Sequence, residues 1–373
     1  MITDEPRMQA YVEALTRAVF PGCVVLDIGA GTGIFSMLAC QLGADEVHAV
    51  EPDDSIQVAR AVAAENGFSH RISFHQSIST KLDISKRADV IISDLRGVLP
   101  LLQHHIPSII DARERLLAPG GCLIPQADDL YAALVDSPEL YRSYEEPWLR
   151  NNYELDLLAG RKHVTSSWRK VYLKNEQLLV TPEHVATIDY NTIESPDINR
   201  QLQWTIEHEG TCHGLAVWFD ATLSEDSGFT NAPGQPELIY GQAFFPWQDA
   251  VKLERGDVVN VEISAKLING SYTWLWSAKV YAGGRSEKIK VNFNQSSFFA
   301  SPFSLEGFRK QEAAYVPSLD HMGEIDFFLL SLMDGSNTLE EIAHQATERF
   351  PDHFKSWKNA LARAGELSKK YSR

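Results

Sequence analysis

The chain has 373 residues, 44% hydrophobic and 23% charged, the make-up of a packed globular protein of two or three domains rather than a disordered one. With 34 Lys and Arg against 50 Asp and Glu the formal net charge is −16, a field that repels phosphate backbones and acidic membranes and so excludes nonspecific nucleic-acid or membrane-surface binding. The N-terminus places acid before any apolar run, no apolar run reaches the ~18 residues of a membrane span, and Cys23, Cys40, Cys122 and Cys212 lie far apart without a C-x-x-C pair, so a cytoplasmic protein without disulfide or zinc site is expected.

From Val24 to Leu134, short apolar runs alternate with helix-length stretches, the pattern of a parallel sheet with crossover helices. The predicted strands are Val24–Ile28, Val47–Val50, Ile72–His75, Val90–Ser93 and Cys122–Pro125, and the predicted helices 34–42, 55–66 and 106–117. Beyond Leu134 come short aromatic and β-branched runs broken by Gly, Pro, Asn and Asp, which read as an antiparallel barrel or sandwich. Strands are expected at 186–190, 202–206, 214–221 and 273–276, and over 258–263, where Val258-Val-Asn-Val-Glu-Ile263 alternates in polarity with period two. A charged, aromatic stretch over 138–170 separates the two textures and reads as helical. Near the end, 325–333 and 354–371 predict helices, and Thr338-Leu-Glu-Glu341 has the capping-box spacing that opens another.

The strongest motif is Val25-Leu-Asp27-Ile-Gly29-Ala-Gly31-Thr-Gly33-Ile, glycines set between a buried strand and a helix, where they let backbone approach a ligand closely. At the end of the next predicted strand stands Glu51, an acid able to accept from both hydroxyls of a ribose, as acids do in dinucleotide folds. The glycine spacing is G-x-G-x-G rather than G-x-G-x-x-G, and with Asp27 before it the segment resembles motif I of the class I methyltransferases; NAD is the competing ligand.

From Asp4 to Val135 the chain resembles the catalytic core of the protein arginine methyltransferases, and the barrel-like half extends the likeness to about Asn292. The resemblance implies an α/β Rossmann-like methyltransferase domain holding S-adenosylmethionine over 1–134 and a β-barrel-like domain over 135–300. It also implies a dimerisation arm near 138–170; a small C-terminal helical appendix follows over 318–373. Asp4-x-x-Arg7-x-x-x-Tyr11 looks like the family's N-terminal helix, which implies that Arg7 pairs with the donor's methionine carboxylate; Ile78 and Ser79 fall at the adenine, where the family more often has an acid at position 79. Cofactor contacts are thus expected from Arg7, Asp27, Gly29, Gly31, Gly33, Glu51, Ile78 and Ser79. His213-Gly-Leu-Ala-Val-Trp218-Phe219-Asp220 looks like a barrel strand of the family, and Pro147–Asp156, including Asn152 and Tyr153, like its arm, which implies a homodimer.

At the acceptor site the likeness weakens. The family clamps a guanidinium with two glutamates after the fourth strand; here Ser93-Asp94-Leu-Arg96-Gly97 and Gln103 give a shorter acid and an amide, and the family's Thr-His-Trp loop aligns with Leu238-Ile239-Tyr240. Asp94 is the candidate for orienting the nucleophile, and His104 the candidate base, with His105 beside it; adjacent histidines at a helix start also read as one surface and one structural residue. Arg96 reads as a substrate-carboxylate contact or an internal ion pair, and Trp218, Tyr240, Phe244 and Trp247 as groove wall or core. Three readings follow: methyl transfer to a nitrogen or oxygen nucleophile of a peptide, protein or small molecule; arginine N-methylation with a rearranged clamp; and a pseudoenzyme partnering an active subunit. Phe327–Ala343 also resembles the helical half of small peptide-binding modules from peptide-modification pathways, against the plainer reading of a packing element.

Overall fold

The computed structural model describes residues 2–150, 153–284, 288–302 and 304–372, and the chain divides into two compact units, 1–302 and 303–373. The first half of the larger unit runs α1 (Glu5–Ala18), β1 (Val24–Ile28), α2 (Ile34–Gln41), β2 (Glu46–Val50), α3 (Ile56–Glu65), β3 (Ile72–His75), β4 (Ala88–Ser93), α4 (His105–Arg115) and β5 (Leu117–Ile124). The strands pair in the order β3-β2-β1-β4-β5, every neighbouring pair parallel. All five residues of β1 are buried, as covering both faces with helices demands. The chain leaves β1 toward β2 on one side and returns as β4 on the other, which opens a crevice beyond the carboxyl ends of these strands, where open α/β sheets bind their ligands.

The second half consists of β6 (Ala127–Val135), α5 (Pro138–Leu149), α6 (Leu158–Thr165), β7 (Arg169–Val171), β8 (Glu183–Asp189), β9 (Ile198–Thr205), β10 (Gly210–Ser224), β11 (Ser227–Thr230), β12 (Gln242–Leu253), β13 (Val258–Ile268), β14 (Ser271–Tyr281) and β15 (Ile289–Ser296). Two antiparallel sheets form, β7-β12-β10-β6-β8 with β11 on β10, and β15-β14-β13-β9. The period-two run in β13 buries Val259, Val261 and Ile263 on one face, as its alternation predicts. The helical stretch expected over 138–170 is α5 and α6, which follow β6 and so lie within the antiparallel half and not between the two textures; of the arm motif, Asn152 lies outside the described residues.

Helix α1 reaches both halves. Its buried face carries Arg7, Ala10, Tyr11, Ala14 and Leu15 onto the Rossmann-like layer, while the Ser227 hydroxyl on β11 donates to the Ala10 carbonyl at 2.7 Å. The smaller unit holds α7 (Leu305–Arg309), α8 (His321–Ser331), α9 (Leu339–Arg349) and α10 (Trp357–Tyr371). Its own core gathers Ile325, Leu329, Ile342, Ala346, Phe354, Ala360, Ala364 and Leu367, and Thr338 and Glu341 cap α9 reciprocally, as their spacing implies. Helix α10 opens at Trp357 rather than at the predicted Phe354, which serves the core from the loop before it.

Candidate active site

The glycine loop bridges β1 and α2. Gly29, Gly31 and Gly33 take φ of 75°, 51° and 77°, the left-handed region that glycine enters without steric cost. Space decides as well: a Cβ on Gly29 falls 2.3 Å from Leu95 Cδ2 and one on Gly33 2.9 Å from the Ala59 Cβ, whereas Gly31 faces open space. Asp27, fully buried at the end of β1, accepts the Ser36 backbone N–H at 3.0 Å and its hydroxyl at 2.7 Å, tying the strand to the helix; burial pushes its carboxyl up to about 6. Its role is to brace the loop from below. Glu51 follows β2 and accepts from Gly31 N–H at 3.0 Å and Asp53 N–H at 2.9 Å, which holds its carboxylate at the mouth of the crevice.

A cavity of about 260 Å³ opens there, lined by Gly29, Glu51, Ile78, Ser79, Leu95, Gln103, His104, His105 and Ser108 among others. Of the expected cofactor residues, Gly29, Glu51, half-exposed Ile78 and buried Ser79 line it, whereas Arg7, Asp27, Gly31 and Gly33 lie outside its lining. A nucleoside carrying a charged side arm fits this donor set, for the wall is mainly apolar and also holds one buried polar atom without a partner, His105 Nε2.

Beside the cavity lies a buried charge network. Asp94, its side chain 4% exposed just past β4, accepts from the Arg7 Nε at 2.7 Å and also pairs with Arg7 Nη2. The Tyr240 hydroxyl reaches both oxygens of Asp94 at 2.8 Å and the Arg7 Nε at 2.9 Å. From the other side Arg96 Nη1 approaches Asp94 at 3.2 Å and donates to the Tyr11 hydroxyl at 2.7 Å, while its Nε and Nη2 grip Asp128 at 2.8–3.1 Å. Tyr190 donates its hydroxyl to Asp128. Burial opposes the charge on Arg7 and Arg96, yet the carboxylates outweigh it and hold both cations above the ordinary arginine range; burial likewise raises Asp128, Tyr190 and Tyr240.

The structure places the other expected site residues as follows. Arg7, expected on a donor carboxylate, lies on Asp94, the carboxylate the chain itself presents to α1. Arg96 is the internal ion pair, its side chain fully buried on Asp128. Of the four aromatics, Tyr240 alone joins the network; Trp218 and Phe244 pack in a cluster with Ala133 and Val171, and Trp247 in the main core, because their strands β10 and β12 run through the middle of a sheet. His104 is exposed at the N-cap of α4, on the cavity rim near Gly270; Gln103, exposed beside it, takes φ 42°. His105 is the buried one of the pair, 2% exposed. Sequence reasoning missed Asp128 and Tyr190. It also undervalued His105, whose helical phase with Ile109 and Ala112 marks the inward face of α4.

The family described as "Ribosomal protein L11 methyltransferase (PrmA)" matches residues 6–145, and that described as "Arginine methyltransferase oligomerization subdomain" matches 126–271. "Probable protein arginine N-methyltransferase 6" of Arabidopsis thaliana is 32% identical over 233 residues, 60% of this chain and 53% of its own length, so the chain spans about half of that relative. "Protein arginine N-methyltransferase 6" of Xenopus tropicalis is 28% identical over 283 residues, 71% of this chain and 82% of its own. Among solved structures, the "Trypanosoma brucei PRMT1 enzyme-prozyme heterotetrameric complex with AdoHcy" matches with a TM-score of 0.70 at 21% identity, covering 79% of this chain and 95% of that one, a likeness of fold.

Proposed function

We propose that the chain is a class I S-adenosylmethionine-dependent methyltransferase of the protein arginine methyltransferase-like family, and that it methylates a side-chain nitrogen of a protein or peptide, arginine being the acceptor. The observation that carries this reading is chemical: Asp94 and Tyr240 together already hold a guanidinium, that of Arg7, through contacts to Nε and Nη2. In this reading one acid and one phenol hydroxyl take the place of the two acids of the family's clamp, while neutral Gln103 stands on the rim.

In this reading Glu51 holds the ribose, Ile78 and Ser79 flank the adenine, and the glycine loop admits the amino-acid arm. S-adenosylmethionine supplies an electrophilic methyl on its sulfonium. Arg7 leaves Asp94 for the donor's carboxylate, and Asp94 then presents one uncompensated charge to the acceptor guanidinium and directs a nitrogen at the methyl carbon. Arg96 stays on Asp128 and keeps Asp94 in place. The test is transfer of labelled methyl to Gly-Arg-rich and histone-like peptides, with Gln103→Glu run in parallel. Label on arginine that rises with the added acid supports the reading. Label confined to neutral nucleophiles overturns the arginine assignment, and none on any acceptor despite donor binding favours the pseudoenzyme.

We further infer a homodimer through the arm. The matched oligomerization family spans α5 and α6, and the arm exposes Leu149, Tyr153, Leu155 and Leu158, the last three at 93%, 59% and 51%. Light scattering at tens of micromolar should give twice the chain mass, and a monomer there refutes the arm's role.

A further inference from the structure

Two carboxylates of the chain compete for the guanidinium of Arg96, which lies over the rings of Phe219 and Phe229 at 5.6 and 5.5 Å from their centroids. Asp128 takes Nε with both oxygens, at 3.1 and 2.9 Å, and Nη2 at 2.8 Å, the two-nitrogen grip of a strong arginine pair. Asp94 receives only Nη1, at 3.2 Å, and shares that nitrogen with the Tyr11 hydroxyl at 2.7 Å. The Tyr190 hydroxyl also donates to Asp128. The side chains of Arg96 and Asp128 are both 0% exposed, and a buried charge without a partner is costly. An Arg96 deprived of Asp128 would therefore turn its Nε–Nη2 edge to the carboxylate it already touches, Asp94.

We infer that Asp128 is a positioning residue for the acceptor: by engaging the Nε–Nη2 edge of Arg96 it keeps that cation from closing on Asp94 and leaves Asp94 open to a substrate guanidinium. The inference rests on the reading of Asp94 as the acceptor clamp. Charge counting supports it. Arg96 and Asp128 cancel, so once Arg7 has left for the donor's carboxylate, Asp94 carries one negative charge for one cationic acceptor. Arg7 has the donor to draw it off in that reading, whereas Arg96, wholly buried, has Asp128 and Asp94 as its acid partners.

Calorimetric titration of a Gly-Arg-rich peptide into the full chain saturated with S-adenosylhomocysteine tests it. Asp128→Asn, which keeps the shape and removes the charge, should weaken the peptide roughly tenfold or more, the scale of one lost charged contact. Its affinity for S-adenosylhomocysteine should stay within about twofold of native, as for a site without shared partners. In the transfer assay the same factor should fall on KM, with kcat at saturating peptide within about threefold of native. Arg96→Met, Asp128→Asn removes the cation that Asp128 no longer holds, and should bind the peptide within about threefold of the native protein. A merely structural pair predicts the opposite, a double variant that binds no better than Asp128→Asn. Unchanged peptide affinity in Asp128→Asn overturns the inference, as does a double variant that regains nothing. Should Asp128→Asn not fold, the double variant decides, since a pair removed from both sides leaves no buried charge; a loss of about tenfold in its peptide affinity overturns the inference. A native protein that binds S-adenosylhomocysteine but no arginine peptide sinks the acceptor reading itself, a different failure from peptide binding that Asp128→Asn leaves unaltered.

Discussion

Replacing Asp94 by Asn should be among the most damaging single changes in the larger unit. Arg7, Arg96, Asp94 and Asp128 sum to zero charge in a network whose side chains are 0–4% exposed, and Asp94 pairs with both arginines. The amide keeps the shape but leaves one buried positive charge without compensation and turns an N–H donor toward two cations. Breaking a buried pair from one side costs about 3–5 kcal/mol, set against a total of about 5–15 kcal/mol for a domain. Urea denaturation followed by tryptophan fluorescence should therefore lose that much in Asp94→Asn. In the double variant Arg7→Met, Asp94→Asn one orphaned cation is gone, and about 1–2 kcal/mol should return by the coupling expected of neighbours in one network. S-adenosylhomocysteine brings its own carboxylate, so it should raise the melting temperature of Asp94→Asn more than that of the native chain. A loss below about 1 kcal/mol, or additive single and double variants, refutes the view that Asp94 is the hub of the network.

Two further outcomes are expected. Glu51→Ala should weaken S-adenosylhomocysteine binding tenfold or more by calorimetry, on the order of 1–3 kcal/mol for a lost charged acceptor, and unchanged affinity removes Glu51 from the site. Lowering the pH from 7 to 4.5 should destabilise the native chain relative to His105→Phe by about 2 kcal/mol. The sign follows from His105, whose folded pKa of about 4 lies below the ordinary 6.5: its contribution is present above 6.5 and is lost as the pH falls toward 4, with Arg96 and Asp94 the charged groups that bear on it. Asp27, raised to about 6, acts oppositely, its contribution being lost as the pH rises through 6, and it cancels in the difference because both proteins carry it. A pH-independent difference counts against a buried neutral His105.

The cofactor half was legible because its signals are local. Residues 24–28 and 72–75 form the predicted strands to the residue, and the glycine loop carries its demand for positive φ in its own composition. Other boundaries move by a residue or a few, as for β5, which opens at Leu117 and not Cys122: Leu117 pairs with Ala88 and Cys122 with Val90, and the glycine pair, which reads as a turn, falls in the register shift between them.

The charge network resisted because it joins positions distant in sequence. Arg96 meets Asp128 and Tyr11, Asp94 meets Arg7 and Tyr240, and Tyr190 arrives from the end of β8. Nothing local distinguishes an aspartate that opens a strand at a solvent edge from Asp128, which opens β6 fully buried; only the register of β6 between β10 and β8 decides it. The same logic separates the histidine pair. His104 and His105 are chemically identical and adjacent, and one residue of helical phase puts the first in solvent and the second in the cavity wall with an unshared lone pair.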